Sequence, residues 1–124
     1  MMLMLLVSTN VLAVDWVKTG EADSFTNYVD PQSIRRTGNI VRVWSLSDHK
    51  SGQVLASIRY LSKLTKVEYD CFEDTMREID LYFYAEKMGT GDIVFSLPNF
   101  TKPATSLPPG SVAAAELKAV CATK

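Results

Sequence analysis

The chain has 124 residues, of which 47% are hydrophobic and 22% are charged, so it can form a core and is too apolar to be disordered. This length fits one domain rather than two. Thirteen basic and fourteen acidic residues leave a formal net charge of -1, which excludes the strongly basic composition of many proteins that bind nucleic acid or anionic lipid.

Residues 1–13 are uncharged and begin with an apolar run, Met1 to Val7. This pattern predicts a signal peptide, and Val11-Leu12-Ala13 places cleavage after Ala13. No Lys or Arg precedes the run, so we expect a signal that is shortened at its start or that relies on the α-amino charge. The alternative is a buried N-terminal strand. The run is too short for a transmembrane helix. No Cys lies near the cleavage point, so the sequence does not support a lipid anchor.

Residues 14–124 are therefore expected to form one exported domain, which contains two cysteines. Cys71 and Cys121 are fifty positions apart, with no CxxC motif and only one His in the chain. This set lacks the ligands of a zinc site or a thioredoxin-like site, so a disulfide is the simplest interpretation. Closing this loop would stabilise the fold by about 4 kcal/mol in the chain-entropy model. Two buried free thiols in a cytosolic protein are the alternative.

The first half of the predicted domain consists of strands and turns. Aromatic and β-branched residues predict an opening strand pair at residues 16–19 and 25–29, and Asp30-Pro31-Gln32-Ser33 predicts a turn after it. Residues 40–48 have the propensity of a central strand. Lys50-Ser51-Gly52-Gln53 is turn-like, so we expect a loop there.

The next two predicted strands show a change of parity and then a clear alternation. Apolar residues within 54–70 change parity near Thr65-Lys66, where we expect a bulge or break. Residues 75–87 alternate between apolar and polar side chains. One predicted face contains Ile79, Leu81, Phe83 and Ala85, and the other contains Glu78, Asp80, Tyr82, Tyr84 and Glu86.

The C-terminal part is predicted to end in a helix. A hairpin connection at residues 88–91 leads into a strand at 92–97, and the proline-rich segment 98–109 suits a surface loop. Ser111 is a good N-cap for a helix over residues 112–122. Cys121 shares the apolar face of that helix and would therefore point toward the sheet. The predicted class is α+β: an antiparallel sheet of about six strands, with the helix packed on one face and linked by the disulfide.

No residue set in the sequence matches a catalytic, metal or cofactor motif. His49 is the only histidine and has no other good ligands beside it. The acidic residues near Cys71 match no calcium loop or acid–base pair, and with Arg77 they are more simply a solvated edge with cross-strand ion pairs. They are Glu68, Asp70, Glu73 and Asp74. We therefore predict a non-enzymatic protein without a cofactor.

Two groups of aromatic residues are candidates for a binding surface. If Tyr82 and Tyr84 are exposed, they form an aromatic patch suited to protein or glycan, whereas the alternative is that the helix or the proline-rich loop covers them. A second group interleaves aromatic and basic residues, as in proteins that bind single-stranded nucleic acid, but the net charge argues against that function. Its members are Arg42, Trp44, Arg59, Tyr60 and Lys63.

Short motifs run in order through nearly the whole predicted domain and resemble the surface-adhesin protein E-like family. They are Trp16, residues 28–36 (YVDPQSIRR), 41–48 (VRVWSLSD), 68–71 (EYDC), 88–94 (MGTGDIV), 109–111 (PGS) and Cys121. The resemblance implies an antiparallel sheet with a C-terminal helix and a disulfide.

The same resemblance implies an exported bacterial protein, located in the periplasm, secreted or carried to the cell surface. The named member of the family is an adhesin that binds host extracellular-matrix proteins, so matrix or envelope proteins are the expected partners and nucleic acid is not. The alternative function is a structural or accessory role in the cell envelope without a host ligand.

Overall fold

The computed structural model describes residues 14–100 and 102–122, so the predicted signal peptide lies outside the described residues. The strands and the α-helix of this part are β1 (Val17–Glu21), β2 (Phe25–Val29), β3 (Arg35–Thr37), β4 (Ile40–Leu55), β5 (Ile58–Asp70), β6 (Thr75–Tyr84), β7 (Ile93–Leu97), β8 (Thr105–Ser106) and α1 (Val112–Cys121). The sheet has the order β1-β2-β4-β5-β6-β7, while β3 pairs with β4 and β8 pairs with β6. Every pairing is antiparallel, which confirms the predicted fold class.

The helix α1 packs across one face of the sheet, which we call the helix face. It begins as predicted, because the Ser111 hydroxyl accepts a hydrogen bond from the amide of Ala114 at 3.1 Å. Leu117 and Val120 point toward the sheet and complete its core. The buried residues of the cluster beneath α1 are Val29, Val41, Val43, Val67, Tyr69, Leu117 and Val120.

The predicted disulfide between Cys71 and Cys121 is present and holds the end of α1 against the end of β5. The two Cα atoms are 5.7 Å apart. The Arg36 guanidinium, at the edge of the sheet, also donates a hydrogen bond of 3.0 Å to the carbonyl of Cys121. Since carbonyls in the last turn of a helix lack partners within the helix, this contact stabilises the C-terminus of α1.

The opposite side of the sheet, which we call the open face, is covered at one end only. A 3₁₀ turn at Lys87–Gly89 crosses this end, where the Gly89 amide donates to the Ser62 hydroxyl and the Met88 amide donates to Asp48 Oδ1, both at 2.8 Å. Leu46 lies beneath the turn and is fully buried. The other end of the open face, around Trp44, has no such cover among the described residues.

The prediction of a loop at Lys50-Ser51-Gly52-Gln53 is wrong, because β4 continues to Leu55. The polar segment instead lies in a register shift between Asp48 and Gln53. The chain reverses at Ala56 and Ser57, whose φ angles of 47° and 69° are those of a two-residue hairpin turn. Such turns usually contain Asn or Gly, so Ala-Ser carried no turn signal.

The bulge or break predicted near Thr65-Lys66 is wrong for β5, which pairs with β4 without interruption from Ser62 to Asp70. A bulge lies opposite this point, in the neighbouring strand β6. The register between β5 and β6 shifts between Lys66 and Val67, and Ile79 is left without a partner. Glu78 is therefore in register with the core residue Val67, so its predicted place on the same face as Tyr82 is wrong. The segment 98–109 also contains the short strand β8, which the loop prediction missed.

Candidate functional site

Four charged residues from four strands form one row across the open face, which we call the arginine row. Arg35 is in register with Arg42, Arg42 with Glu68, and Glu68 with Arg77. Residues in register on neighbouring strands share a face and lie side by side. With about 4.8 Å between strands, the row spans about 14 Å.

Glu68 holds two of the arginines in place. Its carboxylate accepts a hydrogen bond of 3.0 Å from Arg42 Nε, and both of its oxygens accept from Arg77 Nη2 at 3.1 Å. The Glu68 side chain is largely buried, whereas Arg42 is half-exposed. The remaining guanidinium donors are therefore fixed in position and can bind a ligand without much loss of side-chain entropy.

Trp44 follows Arg42 by two residues on β4, so its side chain lies on the same face, next to the arginine row. Its ring centroid is 6.0 Å from Lys66 Nζ and 6.1 Å from the ring of Tyr82. The cation and the aromatic ring limit the orientations of the indole, which gives the site an apolar surface beside its charges.

The row and Trp44 together line a groove of about 810 Å³. Its outer wall is formed by Ser33, Arg35 and Thr37, because the chain turns at Pro31–Ser33 and then pairs along the end of β4. The Ser33 hydroxyl accepts a hydrogen bond of 2.9 Å from the Trp44 amide, which fixes this wall to the sheet.

The structure brings together only some of the predicted surface residues. Tyr82 borders the groove through its contact with Trp44, while Tyr84 is in register with Ser62, outside the groove lining. The helix packs on the other face and does not cover them, but both rings are half-buried and Tyr84 lies beside the 3₁₀ turn that covers Ser62. Of the interleaved aromatic and basic group, Arg42 and Trp44 line the groove, and Arg59, Tyr60 and Lys63 do not.

The acidic residues near Cys71 are also separated by the structure. Glu68 pairs with arginines in the groove, which confirms the predicted cross-strand ion pair with Arg77. Asp70 instead accepts hydrogen bonds of 3.0 Å from the amides of Phe72 and Glu73, and so it stabilises the hairpin tip. Within the described residues, no group of three or more His, Cys, Asp or Glu side chains is placed to hold a metal ion.

Sequence reasoning missed Arg35 and Lys66 as site residues. Arg35 lies in a three-residue strand that follows a turn, and such a short segment has little periodicity. Lys66 occupies an ordinary polar position in β5. The available signal was the alternation of Arg42, Trp44 and Leu46, which places these residues on the same face of β4, but their partners depend on register.

A second polar cluster lies on the helix face and centres on Glu116, which is 3% exposed. Its Oε2 atom accepts hydrogen bonds from Asn27 Nδ2 and from the Ser45 hydroxyl, the latter at 2.8 Å. Its Oε1 atom is buried and accepts no hydrogen bond within 3.5 Å from the described residues, while the nearby Tyr69 hydroxyl also stabilises the carboxylate. Burial raises the pKa of the Glu116 carboxyl, and the hydrogen bonds from Ser45 and Asn27 offset part of the rise.

The Glu116 cluster surrounds a small cavity of about 140 Å³ between α1 and the sheet. Lys63, Tyr69 and Glu78 also line it. Burial, and then the charge of Glu116, raise the pKa of the Tyr69 hydroxyl, so Tyr69 stays protonated at physiological pH. These contacts hold the helix on the sheet by polar as well as apolar interactions.

His49 belongs to a row of aromatic rings rather than to a polar site. Its ring centroid is 5.6 Å from the rings of both Phe25 and Tyr60, and Tyr60 in turn contacts Phe83 at 4.8 Å. Burial, and then the Lys63 ammonium, lower the pKa of His49, while Asp48 acts in the opposite direction. A neutral imidazole in this position packs as an aromatic side chain.

These features define the chain as a disulfide-linked α+β domain with one covered face and one open charged face. The chain belongs to the surface-adhesin protein E family, whose sequence model matches residues 16–122. A comparison with curated proteins gives no match. Within the described residues, no helix is long and apolar enough to cross a membrane.

Solved structures of protein E from Haemophilus influenzae share this fold. One crystal form is 19% identical in sequence, with a TM-score of 0.62, and the match covers 86% of this chain and 96% of that chain. A selenomethionine form is also 19% identical, with a TM-score of 0.63 and coverage of 90% and 94%. The similarity shows that the sheet, the helix and their order are common to both proteins.

Proposed function

We propose that this chain is an exported, non-enzymatic, protein-binding module of the adhesin type, and that its partner binds the open face. The observation that carries the proposal is the groove beside Trp44. It combines an aromatic side chain with fixed arginines, and Trp, Tyr and Arg are the residues that most often dominate protein interfaces. Membership of a surface-adhesin family supports the same class of function.

The position of Tyr82 extends this surface. Its ring contacts Trp44, so Tyr82 adds a half-buried aromatic side chain at the border of the groove. Tyr84 lies two residues further along the same strand, in register with Ser62 at the covered end of the open face, and is not part of the proposed surface. Aromatic rings supply large contact areas at low conformational cost. The helix face does not offer a comparable surface, because its central residues are buried beneath α1.

Export is supported by the disulfide and by the N-terminal sequence. A structural disulfide such as Cys71–Cys121 persists in oxidising compartments and is rare in the cytosol. Residues 1–13 have the apolar character of a signal peptide. Protease treatment of intact cells should therefore degrade the native protein, and complete protection by the outer membrane would contradict a direct adhesin role.

Binding itself is tested with the chain from residue 14 onward and a panel of purified extracellular-matrix proteins. We expect at least one to bind, and Trp44→Ala to weaken that binding by about thirtyfold, which corresponds to a hot spot of about 2 kcal/mol. Phe72→Ala is the matched control, because Phe72 is 76% exposed at the hairpin tip and does not line the groove. Equal losses for both variants would contradict the proposed surface.

A further inference from the structure

We infer that the groove recognises an acidic peptide segment of the partner protein, an inference that rests on the proposed function. Carboxylates of this segment bind the arginine row, and an apolar side chain next to them packs on Trp44. The inference names the chemistry of the partner, which neither the fold nor the family specifies.

The charge of the groove differs from that of the whole chain. The lining contains four cations and one carboxylate, so its formal charge is +3 in a chain whose net charge is -1. With Asp80, which is in register with Lys66 just outside the lining, the local charge is +2. The cations are Arg35, Arg42, Lys66 and Arg77, and the carboxylate is Glu68. Glu68 is already shared by Arg42 and Arg77. The groove is therefore a local cationic site on a slightly acidic protein, and it attracts anionic groups.

Two of the four cations have no carboxylate partner among the described residues. Arg35 Nη1 donates only to backbone carbonyls, those of Gln32 and Ile34, each at 2.9 Å. Lys66 Nζ lies over the Trp44 ring. These contacts orient the two side chains without neutralising them, so both are available to pair with carboxylates of a ligand.

A peptide fits this groove better than a sulfated polysaccharide does. Glu68 lies in the middle of the arginine row, and Asp80 is in register with Lys66. A polysaccharide with a sulfate on every repeat would place sulfates next to both carboxylates, which repel them. The protein's net charge of -1 also provides no long-range attraction for such a polyanion. A peptide can place its carboxylates at the arginines and neutral groups at Glu68 and Asp80.

The direction of the row shows how the peptide would lie. The arginine row crosses the strands instead of following one, although Arg35, at one end of it, lies in the edge strand β3, which pairs only with β4. A peptide that lies along the row therefore runs across the strands and not parallel to the β3 edge. Binding is therefore expected through side chains and not by addition of a strand. Trp44 and Ile40 supply the apolar part of the lining for a neighbouring aromatic or aliphatic side chain.

The probe is a fluorescein-labelled peptide with a central Phe flanked on each side by two Asp residues, and its control carries Asn in place of each Asp. Fluorescence polarisation with the chain from residue 14 onward should show binding of the Asp peptide and weaker binding of the Asn peptide. We expect Arg35→Glu to weaken Asp-peptide binding by roughly tenfold. Arg59→Glu makes the same charge change on an exposed residue outside the groove and should change it by less than about twofold.

Thermal unfolding confirms that both variants are folded, and heparin serves as the competing polyanion. No binding of the Asp peptide to the wild-type chain would overturn the inference. Equal losses in Arg35→Glu and Arg59→Glu would also overturn it, because the attraction would then be diffuse. If heparin binds more tightly than the peptide and its binding depends on Arg35 in the same way, the acidic-peptide inference is wrong and the ligand of the groove is a sulfated glycan.

The two proposals fail in different ways. If a matrix protein binds in a Trp44-dependent manner while the Asp peptide does not bind, the acidic-peptide inference is wrong and the proposed function stands. If the Asp peptide binds in an Arg35-dependent manner while no matrix protein binds, the groove chemistry is right and the adhesin-type function is wrong.

Discussion

The helix face and the open face are built from the same strands, and alternate residues of one strand serve the two. Val43 is buried beneath α1, while the next residue, Trp44, lines the groove. On the helix face, apolar packing, a disulfide and the Glu116 hydrogen bonds hold the fold together. On the open face, charged and aromatic side chains remain accessible. The contrast indicates that substitutions can change stability and binding separately.

The largest effect on the helix face is expected from loss of the disulfide. Cys71→Ser with Cys121→Ser removes a link across 50 positions, and the free energy of unfolding should fall by about 4 kcal/mol. Urea unfolding measures this loss. The double variant, where it remains folded, should keep the groove affinity of the wild type. A loss below about 1 kcal/mol would show that the link contributes little.

The next effect compares the same change at a buried and an exposed valine. Val120 is 1% exposed and Val54 is 64% exposed. Val120→Ala should lower the free energy of unfolding by about 2 kcal/mol, because it removes buried methyl groups and leaves a cavity. Val54→Ala should cost less than about 0.5 kcal/mol. Similar costs would mean that α1 does not form the core described here.

Because Glu116 is buried beneath α1, the free energy of unfolding should depend on pH with a sign that its pKa shift defines. Its pKa is raised in the folded state, so its stabilising effect is full below the ordinary value of 4.5 and is lost as the pH rises through the raised value. Glu116→Gln keeps an oxygen for Asn27 and Ser45 without the charge, so it should be more stable than wild type at neutral pH. This difference should shrink in acid.

Unfolding curves at several pH values test the Glu116 prediction. Glu73→Gln removes the same charge from the exposed hairpin tip and is the control. It should leave the pH dependence of the wild type unchanged. If Glu116→Gln also runs parallel to the wild type, the buried carboxyl does not titrate as described.

The smallest effect is expected at His49. Its lowered pKa means that its contribution to stability is present above the ordinary value of 6.5 and is lost as the pH falls through the lowered value. His49 is the only histidine, so an NMR titration of its ring protons is unambiguous. We expect a pKa below 6.5 that rises in Lys63→Gln. A value at or above 6.5 would contradict the packing of His49 among aromatic rings.

Features with a local cause could be predicted from the sequence. The Ser111 N-cap and the helix-forming residues after it depend on neighbours only a few positions away, and the helix begins as expected. The pairing of Cys71 with Cys121 followed from their number and from the absence of a metal-binding pattern. The alternation of Leu81 and Phe83 with Tyr82 was visible in one strand.

Features that depend on register between strands could not be predicted in this way. The bulge at Ile79 reverses the face of Glu78, because one extra residue changes the phase of the alternation. The arginine row needs four strands aligned in one register, and no single strand contains that information. Glu116 lies in a helix composed mainly of Ala, Leu, Glu and Lys, which predict the helix but not which side is buried; its burial depends on the packing of α1 on β2 and β4.

The central claim, that the open face binds the partner while the helix face maintains the fold, is tested most directly by the affinities of two lysine variants. Lys66→Glu changes the groove, and Lys118→Glu makes the same charge change on the exposed side of α1. With a matrix protein that binds the wild-type chain, Lys66→Glu should weaken binding by roughly tenfold and Lys118→Glu by less than about twofold. The reverse order would contradict the account and place the binding surface on the helix.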